Sequence, residues 1–170
     1  MKGGVGFTMK LCRLLLSICL VGSAHAFEVA EFRSGMAQGE VKTLLLANWN
    51  FDRVMEPSED VILAYDEDPG IARRYQFRFC KGKLTGFEQD VRPSLRSLIL
   101  TTNNYLNQYG QPTRVYSNTH VVSNGEKAVF AMFWKNGVDS IGLKYYVLPN
   151  IEQMSLSFDS NNLCYGTPRM

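Results

Sequence analysis

Histidine is nearly missing from this chain. Of 170 residues two are histidine, His25 and His120. A protein zinc site draws three or four ligands from His, Cys and carboxylates, and a Ser or Cys nucleophile usually needs a His base. One histidine beyond residue 26 argues against both chemistries, and no Gly-x-Ser-x-Gly elbow or nucleotide-binding glycine loop accompanies it. Basic blocks are absent as well: the longest is the pair Arg73-Arg74, too short to leave an electrostatic footprint for nucleic acid. No apolar run reaches the roughly 20 residues of a membrane-spanning helix. The sequence therefore predicts no cofactor, no metal, no nucleic-acid partner and no membrane span.

What is present begins with an export signal. Lys10 and Arg13 precede the apolar block Leu14–Val21, and Ala24-His25-Ala26 puts small residues at the two positions a signal peptidase reads before Phe27. Residues 1–26 read as a cleaved signal peptide, with Met9 an alternative start, and residues 27–170 as one domain in a periplasmic or secreted setting. Ile18 before Cys19 is not the small residue that a lipoprotein signal requires. Lys2, Lys10 and Arg13 are three of the 18 basic residues, set against 16 acidic ones, so the exported part is almost neutral.

Four cysteines occur, and Cys12 and Cys19 fall in the signal. The remaining pair, Cys80 and Cys164, reads as a disulfide in an oxidising compartment, with two buried thiols as the competing reading.

Helical spacing of Met36, Val41, Leu44 and Leu45, with Ser34 as N-cap, predicts a first helix. Alternation in Val61-Leu63-Tyr65 and Tyr75-Phe77-Phe79, followed by a partner strand with Leu84 and Phe87 beyond Lys81-Gly82, predicts three antiparallel strands. From Pro93 the order recurs: a helix ending near Tyr109-Gly110, then strands from Arg114, through Ala128–Trp134, through Ile141–Tyr145 and through Met154–Phe158. The halves 33–92 and 93–165 suggest a tandem helix-plus-three-strand module, although a helix followed by a meander also arises without duplication. The predicted class is α+β, two helices packed on one face of an antiparallel sheet.

The stretch Gly35-Met36-x-x-x-Glu40-Val41-x-x-Leu44-Leu45 resembles the opening of the helix-plus-sheet modules of outer-membrane assembly lipoproteins and of β-lactamase-inhibitory-protein-like domains. Tyr109-Gly110-Gln111-Pro112 is similar to their helix exit. The first helix here ends Ala47-Asn48-Trp49, without that exit. The resemblance implies a sheet face that binds another protein.

Acid clusters at Asp66-Glu67-Asp68 and at Asp159-Ser160-Asn161-Asn162 lack full calcium-loop spacing and read as solvated turns. Strand alternation gives the candidate binding set. If Phe77, Phe79, Leu143, Tyr145, Leu156 and Phe158 face the core, Arg78, Tyr146, Ser155 and Ser157 face the other way, joined by Trp134 if its strand keeps phase. Trp49 and Phe51 form a second aromatic candidate. The expectation is a non-enzymatic module of the bacterial envelope that binds another envelope protein. The alternatives are an inhibitor or regulator of a secreted or periplasmic enzyme, placing Trp49-Asn50-Phe51 in a cleft, and a small hydrolase with an unfamiliar site.

Overall fold

The computed structural model describes residues 27–47, 51–67, 73–123, 125–137 and 139–160. A short ribbon, β1 (Glu28–Val29) and β2 (Phe32–Arg33), leads into α1 (Gln38–Ala47) and four strands, β3 (Arg53–Ser58), β4 (Val61–Asp66), β5 (Arg73–Cys80) and β6 (Lys83–Val91). The second half repeats that order with α2 (Leu95–Tyr109), β7 (Arg114–Val122), β8 (Gly125–Asn136), β9 (Asp139–Leu148) and β10 (Ile151–Ser160).

Strands take 60% and helices 20% of the described residues, so the chain is mainly β and the expected α+β class is overturned. Two physical reasons account for it. Strand β3 escaped the sequence reading because all six of its side chains are exposed, which leaves no apolar alternation to detect. The other strands run past their apolar centres, as β8 does from Ala128–Trp134 out to Gly125 and Asn136, because ladder hydrogen bonds do not require apolar side chains. Each half thus carries four strands after its helix, correcting the helix-plus-three-strand module. The turns of the two halves also differ in place: Lys81-Gly82 joins the third and fourth strands of its half, whereas Asn136-Gly137 joins the second and third.

One antiparallel sheet holds all eight long strands in the order β3-β4-β5-β6-β10-β9-β8-β7. Two meanders therefore meet at their last strands, with Phe158 opposite Phe87 at the seam. The β5–β6 hairpin closes through Lys81 (φ 49) and Gly82 (φ 69), two positive-φ residues that match the right-handed strand twist.

The core follows one row across the sheet: Ile62, Phe77, Phe87, Phe158, Ile141 and Trp134 are successive register neighbours and all are buried. Phe32 of the leading ribbon, fully buried, meets the Phe77 ring edge-on at 4.7 Å, and Phe27 lies 6.4 Å from Phe158. Val41, Leu45 and Tyr105 of the helices join the same cluster. Ser34 does not cap α1: its hydroxyl accepts from the Phe27 N–H at 3.4 Å, and the Glu40 carboxylate instead accepts from the Ala37 N–H at 2.6 Å. Helix α2 is capped by Ser94, which accepts from the Ser97 N–H at 3.0 Å. Leu95, Leu98, Ile99, Tyr105 and Leu106 fall at helical spacing, but Leu95 and Ile99 are exposed, so the face that packs inward is narrower than that stripe.

Candidate functional site

The sheet's second face gathers charge. Because side chains alternate along a strand, burial of Tyr75, Phe77 and Phe79 turns Arg74 and Arg78 of β5 to the other side. Phe87 does the same for Glu88 of β6, Leu143 for Lys144 of β9, and Phe158 for Asp159 of β10. Register then sets these residues side by side: Arg78, Gly86 and Asp159 form one row, and Asp90, Ser155 and Lys144 another.

Glu88 is the hub of the resulting network. Its Oε1 accepts from Arg74 Nη2 at 3.3 Å, while its Oε2 lies 3.9 Å from Arg78 Nη1 and 3.7 Å from Lys144 Nζ. Arg74 Nη2 also reaches Asp90 Oδ1 at 3.5 Å, and Arg78 Nη2 donates to Asp159 Oδ1. Three cations face three carboxylates, so the cluster is neutral as a whole but sharply patterned. Burial pushes the Asp90 and Asp159 carboxyls up from their ordinary range, against the opposing pull of Arg74 and Arg78 respectively. The Arg74 Nε–H is buried without an acceptor.

Small residues make room for these long side chains. A Cβ on Gly86 would sit 2.6 Å from both Arg78 Nε and Asp159 Oδ1, and one on Gly142 would sit 2.5 Å from Ser157 Oγ. Ser155 is buried between Asp90 and Lys144, and Ser157 between Glu88 and Gly142. Aromatic rings border the cluster: Arg53 stacks 4.3 Å from the centre of the Tyr65 ring, and Lys127 Nζ lies 5.0 Å from that of Tyr146. The Tyr146 hydroxyl is raised by burial and then by the negative charge of Glu88.

Of the residues singled out in the sequence, Arg78, Tyr146, Ser155 and Ser157 share this face. Trp134 does not. It is 0% exposed, edge-on to Tyr105 at 5.4 Å, and its indole N–H donates to the Gly110 carbonyl at 3.0 Å. Strand β8 is apolar on both alternating sets, so its sequence alone carried no phase; the set with Met132 and Trp134 faces the core and the set with Phe133 the polar side. Phe51 packs half-buried against Tyr75, ring centres 5.1 Å apart, which turns it inward rather than into a binding loop. Trp49 and Cys164 lie outside the described residues, and with Cys164 the Cys80 pairing. His120 is exposed on β7 opposite Lys127. Asp66 and Asp159, read as turn acids, are both paired with arginines, Arg73 at 4.0 Å and Arg78. Among the described residues no group of three or more His, Cys, Asp or Glu side chains is placed to hold a metal.

Arg74, Glu88, Asp90 and Lys144 were missed by the sequence reading, and Asp159 was read there only as a turn acid. The phase that placed Arg78 also assigns Arg74 and Glu88, but the β6–β10 register that joins the two halves has no local signal. No family model matches the chain, and comparison with curated proteins and with solved structures finds no match.

Proposed function

We propose that this chain is an exported, non-enzymatic protein-binding module of the bacterial envelope, taking its partner on the polar sheet face around Glu88. The observation that carries the reading is the neutral six-membered charge network spread over β5, β6, β9 and β10. Half-buried arginines already held by carboxylates lose little freedom on binding, and a pattern of both signs selects a complementary partner surface rather than any polyanion. Tyr65 and Tyr146 at its border supply the rigid aromatic contacts that protein interfaces favour. The resemblance of Gly35–Leu45 to envelope modules supports the same reading.

Export rests on the signal in residues 1–26, and with it a Cys80–Cys164 disulfide. That bond would close a loop of about 85 residues and contribute on the order of 4 kcal/mol in the chain-entropy model. Intact-mass analysis and non-reducing peptide mapping of the native protein are expected to give a chain starting at Phe27 with the two cysteine peptides linked. A retained leader or free thiols at both sites would contradict these assignments.

The binding reading is tested by affinity capture from the native envelope with wild-type and Arg78→Ala bait, folding being checked by circular dichroism. The variant is expected to lose at least about tenfold in capture, the loss that marks an arginine hot spot. Equal capture by both baits would move the site off this face.

A further inference from the structure

The two edges of the sheet differ in how they are guarded. Strand β3 breaks register between Met55 and Ser58, contains Pro57, carries Arg53 and Glu56, and is tethered by the Lys42–Glu56 ion pair at 2.7 Å. Bulge, proline and charge are the devices that stop an edge from pairing further. Strand β7 at the opposite edge has neither bulge nor proline, and its permanent charge is confined to its first residue, Arg114. It pairs with β8 over all nine residues without a register shift. Val115 is 56% and Val121 92% exposed.

Among the described residues no strand pairs with the outer side of β7, and that side is identifiable. The Thr119 N–H donates to the side chain of its own neighbour, Asn118 Oδ1, at 2.8 Å, so this N–H is turned away from the β8 ladder. By alternation the backbone groups of Val115, Ser117 and Val121 point the same way. On the face to which these odd-numbered side chains belong, Ser117, Thr119, Ala128, Phe130, Tyr145 and Val147 line a depression of about 450 Å³ beside the edge.

We infer that β7 is the seam of a symmetric homodimer, pairing antiparallel with β7 of a second copy about Asn118. The strand is its own complement in that register. Val115 falls opposite Val121, Ser117 opposite Thr119, and Tyr116 opposite His120 of the other copy. The two Arg114 positions stand about 27 Å apart along the seam, at 3.4 Å per residue, so no like charges meet. Val115 and Val121 lie on the face of the depression, and pairing them extends its apolar floor across the seam. Because β3 is guarded, the contact is closed and two-fold: association stops at the dimer instead of growing into a fibre. A nine-residue seam is small for an interface, so the dimer is expected to be concentration-dependent, dissociating in the micromolar range or above.

Sedimentation velocity of the expressed full chain over about a hundredfold range of concentration tests this. The wild type is expected to pass from monomer to dimer. Thr119→Pro removes an outward N–H that the β8 ladder does not use, a position where an edge strand tolerates proline, and is expected to remain folded and monomeric. Charge supplies a second arm that does not depend on proline being tolerated. The double variants Ser117→Glu/Thr119→Glu and Ser117→Lys/Thr119→Lys are each expected to be monomeric alone and to dimerise when mixed, because each places like charges opposite each other in the homodimer and opposite charges in the mixture. A wild type that stays monomeric throughout overturns the inference. So does a dimer that survives these substitutions in folded protein, or a pair of charge variants that fails to associate on mixing. Each of these readouts is independent of the Arg78 capture experiment on the polar face.

Discussion

The guanidinium of Arg78 lies across the backbone of Gly86 to reach the carboxylate of Asp159, 81 residues further along the chain. The pair bridges the two halves of the protein over the β6–β10 seam, and it exists because the residue between them has no side chain. Gly86→Ala is therefore expected to displace both groups. Since both are ends of flexible side chains, the cost in stability should be modest, about 1 kcal/mol, while partner capture falls as far as it does in Arg78→Ala. Chemical denaturation and capture on Gly86→Ala, Arg78→Ala and the double variant check this. The double variant should be no worse than the worse single one, because the three residues act as one unit.

Asp139 gives the fold a pH dependence. It is buried at the start of β9 with Oδ1 lacking a partner, and burial raises its carboxyl from 3.8 to about 6. Its charge in turn helps to raise the nearby Tyr109 hydroxyl, after burial. Between the unfolded and folded values the native state binds more protons than the unfolded one, so stability falls as pH rises through about 6. Asp139→Asn should stabilise the protein at about pH 7.5 by about 1–2 kcal/mol, less than the full shift because water partly screens the carboxylate, and by little at about pH 4. Denaturation curves of both proteins at the two pH values give the comparison; equal stabilities at the higher pH would remove Asp139 as the cause.

Trp134 is expected to behave as a core residue. Trp134→Ala should cost about 3–5 kcal/mol through the cavity it leaves. Trp134→Phe keeps much of the packing but leaves the Gly110 carbonyl without its indole donor, at about 1–3 kcal/mol. Thermal melts of the two variants, set beside capture by the folded fraction, separate this role from a surface one: the folded Phe variant should capture partner as the wild type does.

How far the sequence carried can be judged from particular strands. Tyr75, Phe77 and Phe79 announce both the face they bury and the face Arg78 occupies, because polar and apolar residues alternate there without exception. Strand β8, apolar on both sets, gives no phase, and Trp134 was put on the wrong side for that reason. Strand β3, polar throughout, gives no signal at all. The Glu88 network depends on the pairing of β6 with β10, a long-range register set by packing of Phe87 on Phe158 and by no local pattern. Propensity speaks for elements, and the site lies between them.

Glu88 offers the sharpest test of that network. Its side chain is 12% exposed and within 4.0 Å of three cations, so it neutralises more charge than any other carboxylate on the face. Glu88→Gln keeps the shape and removes the charge, leaving Arg74, Arg78 and Lys144 against Asp90 and Asp159 with one positive charge uncompensated. Partly buried charges stripped of a partner destabilise the fold, here by about 1–3 kcal/mol, short of the cost for a fully buried pair because water reaches all three cations. The same change turns a neutral patterned surface into a basic one, so capture of the native partner should fall while salt-sensitive, non-specific binding to polyanions rises. Denaturation, partner capture and retention on a polyanion column read these three effects separately. Glu88→Gln protein with wild-type stability, capture and retention would show that the ion pairs around Glu88 hold neither the fold nor the binding face.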